Sequence, residues 1–239
     1  MLRSVRASLS GLGLPLLALL ALALALPVLA VLASWLQWSA QTADILREMA
    51  ATVLPDYAGT TAWLCLMVAL GVALLGLSTA AAVTLFEFRG RALFEWLLLL
   101  PLAMPAYVVA YAYTDFLQFS GPVQVALREA FGWKGALWPD VRNVWGAALV
   151  FTVSLYPYVY LLARTALVER VASLMEAARL LGAPLHRRIR EIALPLARPA
   201  LAAGMALALM ETLADFGVSS YFGIQTFTAG IYKAWLAMD

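Results

Sequence analysis

The amino-acid sequence points to an all-α membrane protein, a polytopic bundle of transmembrane helices, and three observations carry that expectation. Of the 239 residues, 64% are hydrophobic and only 13% are charged, whereas a soluble domain is about 45–50% apolar and about 25% charged. Apolar runs long enough to cross a bilayer recur along the chain. Prolines and small residues fall inside those runs, which suits helices packed against one another in lipid.

Taken in order, the runs predict spans over 12–36, 60–85, 95–116, 144–163 and 199–218. The first follows Arg3 and Arg6 and resembles a signal peptide, with Ala30–Ala33 like a cleavage site. Its apolar stretch exceeds the usual 7–15 residues of a signal core, so it reads as an uncleaved first span. The third carries Pro101 and Pro105, and the fourth carries Pro157. The fifth carries Ala200, Gly204 and Ala208, a small-residue stripe suited to close packing. It also carries Glu211 and Asp215, four residues apart and expected on one helix face. A carboxylate at mid-membrane costs at least ~2.5–3.5 kcal/mol. The pair is therefore expected to line a translocation pathway that favours a cation, or to form a hydrated structural pair near the outer end.

Orientation follows from the basic residues. With the amino terminus in the cytoplasm, Arg3, Arg6, Arg89, Arg91, Arg164, Arg170, Arg179, Arg187, Arg188, Arg190 and Arg198 fall inside. Arg47, Arg128, Lys134, Arg142 and Lys233 fall outside. Trp35, Trp38, Trp133, Trp138 and Trp145 then lie near the outer ends, as an interfacial belt would.

Several chemistries are set aside. The net charge of +2 gives no bulk nucleic-acid character. Cys65 alone forms no intrachain disulfide, and with His186 as the only histidine no zinc site is expected; the reading includes no metal and no cofactor. The chain lacks a G-x-x-x-x-G-K-[ST] loop, and Lys134 and Lys233 are its only lysines, so it is not expected to hydrolyse ATP.

The connection 164–198 stands apart. Leu167, Val171, Leu174, Met175, Ala178 and Leu181 recur at helical spacing. Gly182 sits where a helix would stop, and Pro184 suits the first turn of a second short helix. Pro195 and Pro199 lead into the fifth span. An amphipathic helix–turn–helix on the inner face is expected.

Within it stand Glu176, Ala177 and Ala178, then Gly182, then Ile192, Leu194 and Pro195. This resembles the EAA loop of ABC importer permeases, E-A-A-x3-G-x9-I-x-L-P, at every fixed position. The resemblance implies a bundle of the type I ABC importer permease kind, in which these residues couple to a cytoplasmic ABC ATPase subunit. It further implies a periplasmic substrate-binding protein and a second permease half or homodimer partner. The setting would be a bacterial inner membrane, with membrane lipid as solvent. The stretches from Glu95 to Tyr107 and from Tyr221 to Tyr232 are similar to iron(III) permeases of this superfamily, which implies ferric iron as cargo. Thiamine or another small solute is the alternative, since thiamine permeases are close relatives. A membrane-embedded enzyme or scaffold, resting on Glu211 and Asp215, is the reading from another class. Phenolate ligation of iron by Tyr107, Tyr111, Tyr113, Tyr156, Tyr158 or Tyr160 is set aside, because a tight site would trap the cargo. Iron(III) permeases of this kind carry two homologous halves. The 239 residues match the first, so a sixth span and a second half are expected elsewhere, in a longer chain or in a second one.

Overall fold

The computed structural model describes residues 2–34, 36 and 39–236, without the side chains of residues 2–13 and of Arg170. Trp35 and Trp38 of the expected aromatic belt lie outside the described residues, as do the side chains of Arg3, Arg6 and Arg170. The chain divides into two units, residues 1–54 and 55–239. The first holds α1 (Leu2–Ser34) and α2 (Ala40–Thr52). Leu14–Ser34 is a predominantly apolar stretch of 21 residues, about 30 Å of helix and so matched to a bilayer core. The side chain of Ser39 caps α2 by accepting from the Thr42 N–H at 3.1 Å.

The second unit contains α3 (Leu54–Leu85), α4 (Arg91–Leu97), a 3-10 turn (Leu100–Ala103), α5 (Ala106–Leu117), α6 (Pro122–Phe131) and α7 (Val144–Ala166). It continues with a first π turn (Leu167–Val171), α8 (Ala172–Leu180), α9 (Leu185–Arg188), a second π turn (Ile189–Ala193), α10 (Leu194–Ala214), α11 (Gly217–Tyr221) and α12 (Phe227–Leu236). Among the described residues, four helices are long and apolar enough to cross a membrane, or five if the bent pair around Pro105 is one span.

The core of this unit is built around α7, which buries Ala147, Val150, Phe151, Leu155, Val159, Tyr160 and Ala163. Around Val159, close approach requires glycine at two positions. A Cβ on Gly76 would fall 2.6 Å from Val159 Cβ, and one on Gly204 would fall 2.7 Å from Val159 Cα. Val159 therefore sits between α3 and α10, held by two residues without side chains. Gly204 and Ala208 of the expected stripe are both buried.

The third run differs from a simple span. Pro101 lacks an N–H and cannot continue the ladder, and the axis turns by 98° between Arg91–Ala103 and Ala106–Phe131. Tightening at this break leaves two carbonyls without helical donors. The Leu99 N–H goes to the Trp96 carbonyl, and the Leu102 N–H goes to the Leu99 carbonyl. Tyr160 then donates its hydroxyl to the Glu95 carbonyl at 3.2 Å, and Tyr156 donates to the Leu98 carbonyl at 2.9 Å. In lipid a freed backbone carbonyl needs such a partner.

The fifth run differs at both ends. α10 continues the second π turn from Leu194 and stops at Ala214, so Asp215 caps the helix instead of lying within it. At that end of the bundle a loop is pinned by Gln124, which donates to the Leu117 carbonyl and accepts from the Leu137 N–H. Trp138, expected at the interface, donates its indole N–H to the same Leu117 carbonyl at 2.7 Å. α12 is fastened to α3 by the Phe227 N–H on Thr61 Oγ1 at 3.1 Å.

Candidate functional site

Two places collect the residues singled out by sequence. The first is the hairpin α8–α9. α8 ends because Gly182 takes φ +80°, a conformation cheap only for glycine. The Ala183 N–H bonds the Ala178 carbonyl and the Gly182 N–H bonds the Arg179 carbonyl, both at 3.0 Å. That 6→1 and 5→2 pair is a Schellman cap. It reverses the chain in two residues and aims the tip outward: Leu180 is 82% exposed and Leu181 is 88% exposed. Glu176 and Ala177 are exposed on the same short helix and Ala178 is half-buried, while Met175 is buried. The hairpin is thus anchored by one face and presents alanines, leucines and a carboxylate on the other.

Its return arm is tied back. Arg188 donates to the Met175 carbonyl at 3.4 Å. Arg187 pairs with Glu191 at 3.0 Å. Ile192 packs against the core, and Pro195 follows directly on the second π turn at the start of α10. A cavity of about 540 Å³ lies beside the hairpin, bordered by Phe86, Arg91, Met175, Glu176, Arg179 and Arg188. Both π turns flank this hairpin and join it to α7 and α10 without a loop. The sequence did not disclose them, because a π turn has no residue signature comparable to Gly or Pro.

Above the hairpin, Glu95 links α4 to α7. Its carboxylate accepts from Arg91 at 3.1 Å and from Arg164 at 2.7 Å. With the two tyrosine hydroxyls, this makes four polar ties along the broken segment, three of them to α7. The hydroxyls of Tyr156 and Tyr160, weighed in sequence as iron ligands and set aside, are occupied by backbone.

The second place is a cavity of about 170 Å³ at the break, bordered by Pro105, Tyr107, Ser154, Tyr158, Glu211 and Asp215 among others. Glu211 and Asp215 therefore border one space, although Asp215 lies beyond the helix end. One Asp215 oxygen accepts the Val218 N–H at 2.8 Å and starts α11. Among the described residues no group of three His, Cys, Asp or Glu side chains is placed to hold a metal ion. Nearer the loop end, Arg142 donates to the Tyr221 hydroxyl at 3.2 Å and borders a cleft of about 430 Å³ with Tyr111, Thr114, Asp115 and Gln118.

Residues 72–234, most of the second unit, match the family model for the binding-protein-dependent transport system inner membrane component. The chain is similar to the Fe(3+)-transport system permease protein FbpB 2 of Haemophilus influenzae, 27% identical over 76% of this chain and 32% of that one. It is similar to the sulfate transport system permease protein CysT of Salmonella typhimurium, 30% identical over 59% of this chain and 49% of that one. It is similar also to the molybdenum transport system permease protein ModB of Escherichia coli, 32% identical over 56% of this chain and 57% of that one. The matched part is thus about a third of the first relative and about half of the other two. With the matched segment running through both the capped hairpin and the carboxylate-bordered cavity, the chain belongs to the family of binding-protein-dependent transport system inner membrane components.

Proposed function

We propose that the chain is the membrane permease subunit of an ATP-binding-cassette importer whose cargo is ferric iron. The observation that carries the importer reading is the capped, exposed hairpin at residues 176–182, built on the E-A-A…G…I-x-L-P residues. A cytoplasmic ATPase subunit seats this hairpin, whose exposed Ala177, Leu180 and Leu181 suit a groove, with Glu176 and Arg179 exposed beside them. The hairpin end of the bundle then faces the cytoplasm, with the amino terminus on that side. A periplasmic binding protein delivers cargo at the opposite end, and a second permease half or a second copy completes the pathway.

Motion at the hairpin has a continuous route inward. It passes through the first π turn into α7 and crosses to α4 by Arg164–Glu95 and by the hydroxyls of Tyr160 and Tyr156. The route ends at the helix break, where Glu211 and Asp215 line the translocation pathway. Such bistable packed elements are how nucleotide-driven closure becomes reorientation.

Iron is favoured over sulfate or molybdenum by two observations. The FbpB 2 match covers 76% of the chain, and two carboxylates border the inner cavity, where they attract a cation and repel a dianion. A second reading, an oxyanion cargo, draws on the CysT match and on Arg142 in the outer cleft. Co-purification with an ATPase and a binding protein, then uptake of iron(III) and of sulfate in vesicles, separates the two. ATP-dependent iron uptake is expected; sulfate uptake without iron uptake overturns the cargo reading. In the same vesicles Gly182→Asp is expected to abolish uptake; unaltered ATPase association together with unaltered uptake counts against the coupling assignment.

A further inference from the structure

The 540 Å³ cavity beside the hairpin lies where two spans end. The long apolar stretches Leu54–Leu85 and Val144–Glu169 both run out at its border, which takes in Leu85, Leu167 and Val168. A cavity at the end of two spans sits where hydrocarbon gives way to headgroups. Its size falls within the roughly 300–1,000 Å³ of ligand sites. Phe86, Val168 and Leu185 form an apolar rim that the rest of the chain leaves exposed.

The polar side of the border is basic. Among the described residues Arg91, Arg179 and Arg188 stand there against one carboxylate, Glu176. Arg179 and Glu176 approach only to 4.0 Å on an exposed face, so that pair is loose. Arg91 pairs with Glu95, but Arg164 takes the other oxygen of the same carboxylate. Arg188 spends one of its five N–H donors on the Met175 carbonyl and forms no ion pair among the described residues. With Arg164 and Glu95 included, four guanidiniums meet two carboxylates, an excess of two positive charges. Basic charge beside an exposed apolar rim, at the depth where spans end, is complementary to a molecule with a phosphate at one end and hydrocarbon at the other.

We infer that this cavity binds an anionic phospholipid of the leaflet on the hairpin side, its phosphate among Arg91, Arg179 and Arg188 and its first methylenes along Phe86, Val168 and Leu185. The lipid bridges the end of α3 and the start of α4 to the hairpin, and so braces the element that the ATPase seats. Lipid binding needs only the cavity; the bracing rests on the importer reading.

The test is native mass spectrometry of the full chain in detergent, titrated with phosphatidylglycerol, phosphatidylcholine or inorganic phosphate. Phosphatidylglycerol is expected to bind about tenfold or more tightly than phosphatidylcholine, since each basic residue near a headgroup adds attraction for net negative charge. Arg179→Gln with Arg188→Gln is expected to abolish that preference. Arg179→Gln alone, at an exposed side chain that carries no packing, is expected to weaken phosphatidylglycerol binding several-fold. Arg187→Gln with Arg190→Gln removes the same charge from exposed positions that do not border the cavity, and is expected to leave the preference unchanged. No preference in the wild type, or equal loss in the two double variants, overturns the site. Displacement of the lipid by an equal concentration of inorganic phosphate overturns a lipid occupant, and so does its loss when the ATPase subunit binds. Iron uptake by the assembled importer is measured in parallel. No uptake with the lipid preference intact sinks the cargo reading and leaves the lipid site standing. Normal uptake with no lipid preference does the reverse.

Discussion

Val159 is the residue on which three helices converge. Its neighbours Gly76 and Gly204 work by lacking a side chain, and van der Waals contact at that distance is the main attraction between helices in lipid. Gly204→Val is therefore expected to destabilise the bundle by about 1–3 kcal/mol through overpacking, measured as a lowered midpoint in thermal unfolding in detergent. Tyr160→Phe removes the only hydroxyl that meets the Glu95 carbonyl among the described residues, and is expected to cost about 1–3 kcal/mol by the same measurement. Of these two roles, only that of Gly204 is visible in the chain as letters. The small-residue spacing of Gly204 and Ala208 is legible because a stripe has a period. The pairing of Tyr160 with a carbonyl 65 positions earlier has none.

At the scale of the element, the hairpin was legible nearly residue by residue. Gly182 is punctuation that only one backbone conformation explains, and Pro184 and Pro195 mark the arms. Gly182→Ala is expected to cost about 1–2 kcal/mol of local strain and to reduce uptake. Gly182→Asn is expected to retain more, since asparagine enters the left-handed region more readily. A comparison of transport rates at equal membrane abundance checks the order. The broken third span was read as a plain helix with internal prolines, because a proline announces a lost hydrogen bond without saying how far the axis turns. Here it turns by 98°, and the ties from Glu95, Tyr156 and Tyr160 hold the turn in place. Glu95→Gln weakens its arginine partners' hold on α4. It is expected to leave ATPase association intact and to lower uptake, which separates coupling from assembly in one variant.

At the scale of the molecule, composition alone pointed to lipid as solvent, and the apolar runs agree with four helices, or five with the bent pair, long and apolar enough to cross a membrane among the described residues. Their ends were less legible: α10 begins earlier than its apolar core and ends before Asp215, because helices extend past the hydrocarbon wherever caps and neighbours allow. What joins the scales is the sidedness of the hairpin. Under the proposed function it transmits ATPase motion only from the cytoplasmic side. Leu181, 88% exposed at the tip, is the place to test this, in a Cys65→Ala background that removes the one native thiol. The Leu181→Cys variant is treated with a membrane-impermeant maleimide in intact cells and in inside-out vesicles. Labelling only in inside-out vesicles, blocked when the ATPase subunit is bound, is the predicted result. Labelling from outside intact cells contradicts the account.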